Sequence, residues 1–191
     1  MNLELDLLTF PQPGITGAVA HMFESAGWDG LYVADTQNLA PDVHVSLALA
    51  AAATERMVLA TGVTNPVTRH PAVTGSAIAA VHAASGGRAV LGIGRGDSSL
   101  GYLGRKPASV ADFETYLRRL RGFLHGDEVD LGDATSRNMW IANSDLPPVP
   151  IDIAATGPKV TAIAARLADR VTFAVGADPV RLRDSIELVR K

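Results

Sequence analysis

Two short apolar runs, Met57-Val-Leu-Ala-Thr and Arg88-Ala-Val-Leu-Gly-Ile, are separated by a single helical segment. Neither run alternates polar with apolar residues, so both faces of each must be covered, as in the parallel sheets of α/β proteins. Parallel neighbours need a crossover, and the helix supplies it. This constraint sets the fold class: a parallel sheet with helices outside it. It also sets where chemistry gathers, because at the carboxyl edge of such a sheet the loops vary while the strands hold their bases still. The first run leads into Thr61-Gly62-Val63-Thr64-Asn65-Pro66 and Arg69-His70-Pro71, the second into Gly94-Arg95-Gly96-Asp97.

The rest of the chain repeats the pattern. Residues 3–9 read as a strand broken by Pro11, Pro13 and Gly14, and 15–26 as a helix ended by Gly27. A second strand, 30–34, delivers Asp35-Thr36-Gln37-Asn38 to its end, and Asp42 is placed to cap a helix over 43–54. Pro71 suits the first position of a helix running to Ala84, since its missing N–H has no intrahelical partner there anyway. In 109–125, Phe113, Tyr116, Leu117, Leu120 and Leu124 recur at helical spacing, and Gly126 stops the helix. Residues 127–150 show no period and read as a surface excursion, a lid with Met139 and Trp140 at its tip. A strand at 151–155, a helix from Gly157-Pro158 to Leu167, a strand at 171–175 and a helix from Asp178-Pro179 complete the chain. The expected fold is a parallel (β/α)8 TIM-barrel type with only six of its eight βα units, one domain over 1–191.

Composition removes several function classes. Hydrophobic residues make up 47% and charged residues 19%, as in an ordered globular protein. The formal charge of −3, with no basic cluster interleaved with aromatics, argues against a nucleic-acid partner. The absence of cysteine excludes disulfides, thiolate metal sites and a cysteine nucleophile. The first eight residues alternate like a strand and lack the basic start of a signal peptide, and no apolar run reaches the ~20 residues of a membrane span. A cytoplasmic protein without a membrane partner is expected. His21, His44, His82 and His125 fall within helices, His70 alone lies at a strand exit, and no spacing suggests a metal site or a Gly-x-Ser-x-Gly elbow.

Local chemistry leaves each candidate with a plain alternative. Thr156-Gly157-Pro158-Lys159 opens a helix, where unpaired N–H groups, a close-approach glycine and a lysine favour an anion; it also reads as an ordinary strand-to-helix turn. In Gly94-Arg95-Gly96-Asp97 the glycines admit a ligand to the backbone, or Arg95 and Asp97 form a surface pair of little energy. Gly62-Val63 reads as a glycine bulge, and Asp35, Gln37 and Asn38 as turn caps or site groups.

Taken together and in this order, these motifs resemble the bacterial luciferase-like superfamily, and within it the coenzyme F420-dependent oxidoreductases similar to methylenetetrahydromethanopterin reductase and F420-dependent glucose-6-phosphate dehydrogenase. The likeness runs from about Asn2 to Arg190, apart from much of 127–150. It implies F420, or FMN, lying across the strand ends, with Thr61, Gly62, Val63, Thr64, Gly94 and Gly96 around the ring and Ala155, Thr156, Gly157, Pro158 and Lys159 at the phosphate. Gly62-Val63 takes the position of the family's non-prolyl cis peptide. Asp97 stands where a glutamate proton donor is found, and Asp35 matches a strand-end aspartate. Thr36 replaces the histidine that usually follows, which removes a general base. Thr36, Asn38, Arg69 and His70 fall on the substrate side, and no metal is implied. The resemblance therefore implies hydride transfer to or from a small organic molecule. A flavin-binding partial barrel without catalysis, or one chain of a composite barrel, is the alternative. Two absent units leave edges that self-association, such as a homodimer, would cover.

Overall fold

The computed structural model describes residues 3–190, so the part of the amino-terminal reading that rests on Met1 and Asn2 lies outside the described residues. The first four units are β1 (Asp6–Thr9), α1 (Thr16–Ser25), β2 (Gly30–Val33), α2 (Val43–Ala53), β3 (Val58–Thr61), α3 (Pro71–Ala84) and β4 (Ala89–Ile93) followed by α4 (Ser98–Gly101) and α5 (Val110–His125). An excursion holds β5 (Val129–Asp130), β6 (Thr135–Ser136) and α6 (Met139–Ala142). The last two units are β7 (Ile151–Ala155), α7 (Pro158–Leu167), β8 (Arg170–Phe173) and α8 (Pro179–Val189).

Six strands form one parallel sheet in the order β1-β2-β3-β4-β7-β8. The sheet curls. The Tyr32 hydroxyl on β2 reaches across the concave side to Oδ2 of Asp152 on β7, 3.1 Å away, and Asp6 and Leu8 on β1, Tyr32 on β2, Thr172 on β8 and Gly62 just after β3 line one cavity of ≈ 280 Å³. β1 and β8 each pair on one side only, so the curl is a partial barrel.

Burial follows the strand chemistry. β4 is buried along its whole length, while β1 and β8 show partial and exposed positions. Between sheet and helices, Leu31, Leu47, Leu59, Ile78, Leu91 and Phe113 are fully buried and anchor the core. The helix signals act as their chemistry suggests. Asp42 accepts from the N–H groups of His44 and Val45, the Ser109 hydroxyl accepts from Asp112, and Gly126 ends α5 in the left-handed region at φ 69°.

Two ties carry no periodic signal. The buried carboxylate of Glu24 on α1 accepts the N–H groups of Glu55, Arg56 and Met57, fixing the turn into β3. The Arg88 guanidinium donates to the carbonyls of Ala51, Thr54, Met57 and Ser85, pinning the amino end of β4 to the end of α2.

The structure also differs from the sequence reading. β1 begins only at Asp6, β8 spans Arg170–Phe173, and the excursion contains an antiparallel β5–β6 pair too short to show a period. The tip does not sit as a lid over the strand ends. The Trp140 indole N–H donates to the Ser76 hydroxyl at 3.0 Å, placing the tip against the outer side of α3.

Candidate functional site

Because β2, β3, β4 and β7 are adjacent and parallel, the loops that follow them leave one edge of the sheet. The sequence candidates at residues 35–38, 61–70, 94–97 and 155–159 therefore converge there.

At the end of β3 the Gly62–Val63 peptide is cis. Gly62 N–H still donates to Val33 O on β2, and Thr64 N–H donates to Gly92 O on β4, so the chain changes partner strand across this peptide. The site is tight. A Cβ on Gly62 would come within 2.8 Å of Tyr32 Cβ, and one on Gly94 within 3.2 Å of Val63 Cγ2. The Thr61 hydroxyl donates to Gly92 O at 2.6 Å.

Asp35 is 3% exposed and fully engaged. Its Oδ2 accepts from the Thr64 hydroxyl at 2.6 Å and from Arg69 Nη1 at 2.5 Å; its Oδ1 accepts from Gln37 Nε2 and Arg69 Nη2. Arg69 continues to Oδ2 of Asp42, the cap of α2, at 3.0 Å. These partners raise the Arg69 pKa although burial opposes it. Tyr116 from α5 donates its hydroxyl to Arg69 O, and burial pushes that phenol up to about 12. Asp35 thus ties the β2–α2 loop to the β3–α3 loop and has no idle oxygen. Asn38 Nδ2 donates to Tyr102 O, joining the β2 loop to the end of α4. His70 caps α3, its Nδ1 accepting from Ala72 N–H, and is exposed.

Asp97 is exposed at the start of α4, where its Oδ1 accepts from the Ser98 hydroxyl and leaves Oδ2 free. Gly96 has φ 86° and lies over Asn65, a conformation that favours glycine. Gly157 is the N-cap residue of α7, with no side-chain cap and no atom within 4 Å of where a Cβ would stand. The first-turn N–H groups of Lys159 and Val160 thus have no side-chain cap, and Lys159 is exposed beside them. Among the described residues, three buried polar atoms around this edge have no partner: the Thr36 and Thr68 hydroxyls and Asn65 Nδ2. The sequence reading took Asn65 only as part of the strand-end motif and Asp42 only as the cap of α2, and it did not single out Tyr32; the bond network, which has no fixed spacing, brings them to the site.

A partial parallel βα barrel with its polar groups and glycines gathered at the strand ends is the class this fold and site define. Over residues 10–191 the chain matches the family described as luciferase-like monooxygenase, and it belongs to that family. It is 34% identical over 160 residues to the 5,10-methylenetetrahydromethanopterin reductase of Methanolobus tindarius, covering 80% of this chain and 47% of that protein. It is 31% identical over 165 residues to the F420-dependent glucose-6-phosphate dehydrogenase of Beutenbergia cavernae, covering 76% and 48%. The chain thus spans about half the length of the curated relatives it matches. Among solved structures, the coenzyme F420-dependent tetrahydromethanopterin reductase of Methanopyrus kandleri superposes with a TM-score of 0.77 at 23% identity, over 99% of this chain and 60% of that one. An F420-dependent secondary alcohol dehydrogenase superposes at 0.78 and 18%. Both show the fold alone.

Proposed function

We propose that this chain, a single domain, is the cofactor-holding part of an oxidoreductase that moves a hydride between coenzyme F420, or alternatively FMN, and a small organic substrate. The observation that carries the reading is the convergence on one sheet edge of three glycine sites, Gly62, Gly94 and Gly157, the last at a helix start with open space before it. A flat ring with an anionic tail fits such an edge: small residues admit the ring, and uncapped N–H groups with Lys159 attract the phosphate. Thr61, Val63, Thr64, Gly96, Ala155, Thr156 and Pro158 complete the contact set in this reading. The bound cofactor supplies the hydride chemistry. The chain's residues orient and exclude water: Asp35 holds Arg69 and Thr64 in place, and the free oxygen of Asp97 is the candidate for holding a proton. Substrate contact falls to Thr36, Asn38 and His70, since Arg69 is spent on Asp35 and Asp42.

A second reading, a cofactor-binding partial barrel without catalysis or one chain of a composite barrel, is favoured by the two unpaired sheet edges. Those edges support self-association as well. Neither nucleic acid nor membrane is a partner in this reading: among the described residues no helix is long and apolar enough to cross a membrane, and the charge balance is slightly acidic. A cytoplasmic location belongs to the same proposal.

Titrating the purified chain with F420 and with FMN, followed by fluorescence, tests the reading. One of them is expected to bind, and Lys159→Ala to weaken it about tenfold, ~1.4 kcal/mol. A folded chain that takes up neither refutes the proposal; binding without turnover favours the second reading.

A further inference from the structure

Asp152, the second residue of β7, is 2% exposed, and its carboxylate is met by two neutral groups. Its Oδ2 accepts from the Tyr32 hydroxyl on β2 at 3.1 Å and from the Thr172 hydroxyl on β8 at 2.7 Å, while among the described residues Oδ1 has no partner. A buried carboxylate with neutral donors and one unmatched oxygen costs more than an apolar side chain of similar volume would. Stability therefore does not account for it, and its geometry does. β3 and β4 lie between β2 and β7, so the Tyr32–Asp152 bond crosses two strands on the concave side. The residues in register with its two ends are Ala60 on β3 and Gly92 on β4, a methyl and no side chain at all, which leave the phenol room to cross. Burial and the adjoining carboxylate push that phenol up to about 12, so it keeps the proton it donates.

We infer that Asp152 is a positioning residue: through Tyr32 it braces the open sheet at one curl, and so sets the span between the Gly62 and Gly94 seat and the helix start at Gly157. Ladder hydrogen bonds fix the spacing of neighbouring strands but leave the angle between them a range. In a closed barrel, closure sets the curvature. Here β1 and β8 each pair on one side only, and a bond between non-adjacent strands takes the place of closure. Both ends of the brace adjoin the site. Tyr32 stands against Gly62, where an added Cβ would come within 2.8 Å of Tyr32 Cβ, and Asp152 lies on the strand that runs into Thr156 and Gly157. A ligand with a flat ring and a phosphate tail takes two seats at once, and the second contact adds to the first only when the spacing matches. The inference rests on the cofactor reading proposed above and adds the residue that keeps its two seats in step. Asp6 lines the same cavity from β1 but is exposed, so it has no such hold on the curl.

Two measurements test the inference, the first without cofactor. The chain lacks cysteine, so spin labels can be placed at His21→Cys on α1 and Ala165→Cys on α7, both exposed, with the labelled chain diluted in unlabelled chain. Pulsed electron resonance should give one narrow distance in the otherwise wild-type chain and a broadened or longer one in Tyr32→Phe and in Asp152→Leu. The distance should stay narrow in Asp152→Asn, whose remaining oxygen still accepts, and in Asp6→Asn. The second measurement titrates the same variants with whichever of FMN and F420 the wild type binds, and with that ring lacking its phosphate, which for FMN is riboflavin. Tyr32→Phe should weaken the phosphate-bearing ligand about tenfold and leave the phosphate-free ring unchanged, because only the two-seat ligand feels the span. An unaltered distance in both Tyr32→Phe and Asp152→Leu overturns the brace. Equal weakening of the two ligands overturns its positioning role, since the ring seat itself is then disturbed. A wild type that takes up neither FMN nor F420 refutes the cofactor reading, and the label distances still decide the brace.

Discussion

At the scale of single residues, the buried tie of Arg69 to Asp35 is the most consequential contact. Arg69 is 14% and Asp35 2% exposed in their side chains, so removing one partner strands a charge out of water. Arg69→Ala is therefore expected to cost about 3–5 kcal/mol in urea unfolding, and an Arg69→Met/Asp35→Asn pair clearly less, because it leaves no lone charge. A loss below 1 kcal/mol would show the tie to be dispensable. The histidines give a second expectation. His44 is held low by burial and by Arg69, against the pull of Asp35 and Asp42; His82 is held low by burial, against its bond to Ala89 O. The unfolded chain takes up protons near pH 6.5 where the folded chain resists them, so this stability is present above that pH and lost below it. Urea midpoints should fall from pH 7.5 to 5.5, by up to about 1.4 kcal/mol per pH unit for each histidine, and His82→Gln should flatten the slope. Stability that rises toward acid would contradict the assignment. Neither feature was legible in the sequence. Asp35, Arg69 and His44 stood out as residue types, yet their pairing depends on a fold that brings positions 34 residues apart within 2.5 Å.

At the scale of elements, the glycines separate packing from ligand access. A Cβ on Gly92 would meet Thr61 O at 2.0 Å, inside the β3–β4 pairing; on Gly94 it would meet Val63 Cγ2 at 3.2 Å; on Gly157 it would meet nothing within 4 Å. Alanine scanning should therefore rank the losses of thermal stability Gly92→Ala far above Gly94→Ala, with Gly157→Ala indistinguishable from wild type. If Gly157→Ala proves as damaging as Gly92→Ala, the helix start is a packing site and not an open one. Elements were also what the sequence disclosed best, because a charge-free run and a helical period are local. Ala89–Ile93, Pro71–Ala84 and Ile151–Ala155 are read to the residue, while strands of two residues, β5 and β6, show no period at all. Glu24 and Arg88, which join elements through backbone groups, were invisible for the same reason.

At the scale of the whole molecule, the six-unit alternation was legible but its consequence for stability was not, since that depends on which unit lies outermost. β8 pairs only with β7, and α8 contributes no buried residue. β3 and β4, by contrast, have neighbours on both sides and helices over them. Local opening free energy follows buried apolar contact, so the β8–α8 unit should open well before the rest. Hydrogen exchange read by mass spectrometry is expected to show amides of 170–173 and 179–189 exchanging through such an opening, while those of 58–61 and 89–93 exchange only with global unfolding. A cofactor seated at Gly157 would protect the start of α7 first, and stabilise the folded chain by about 2.7 kcal/mol when present at a hundred times its dissociation constant. Uniform exchange across all six units would mean that something not visible in the chain's own contacts holds β8 and α8 in place, and the free edge would then have to be covered in solution.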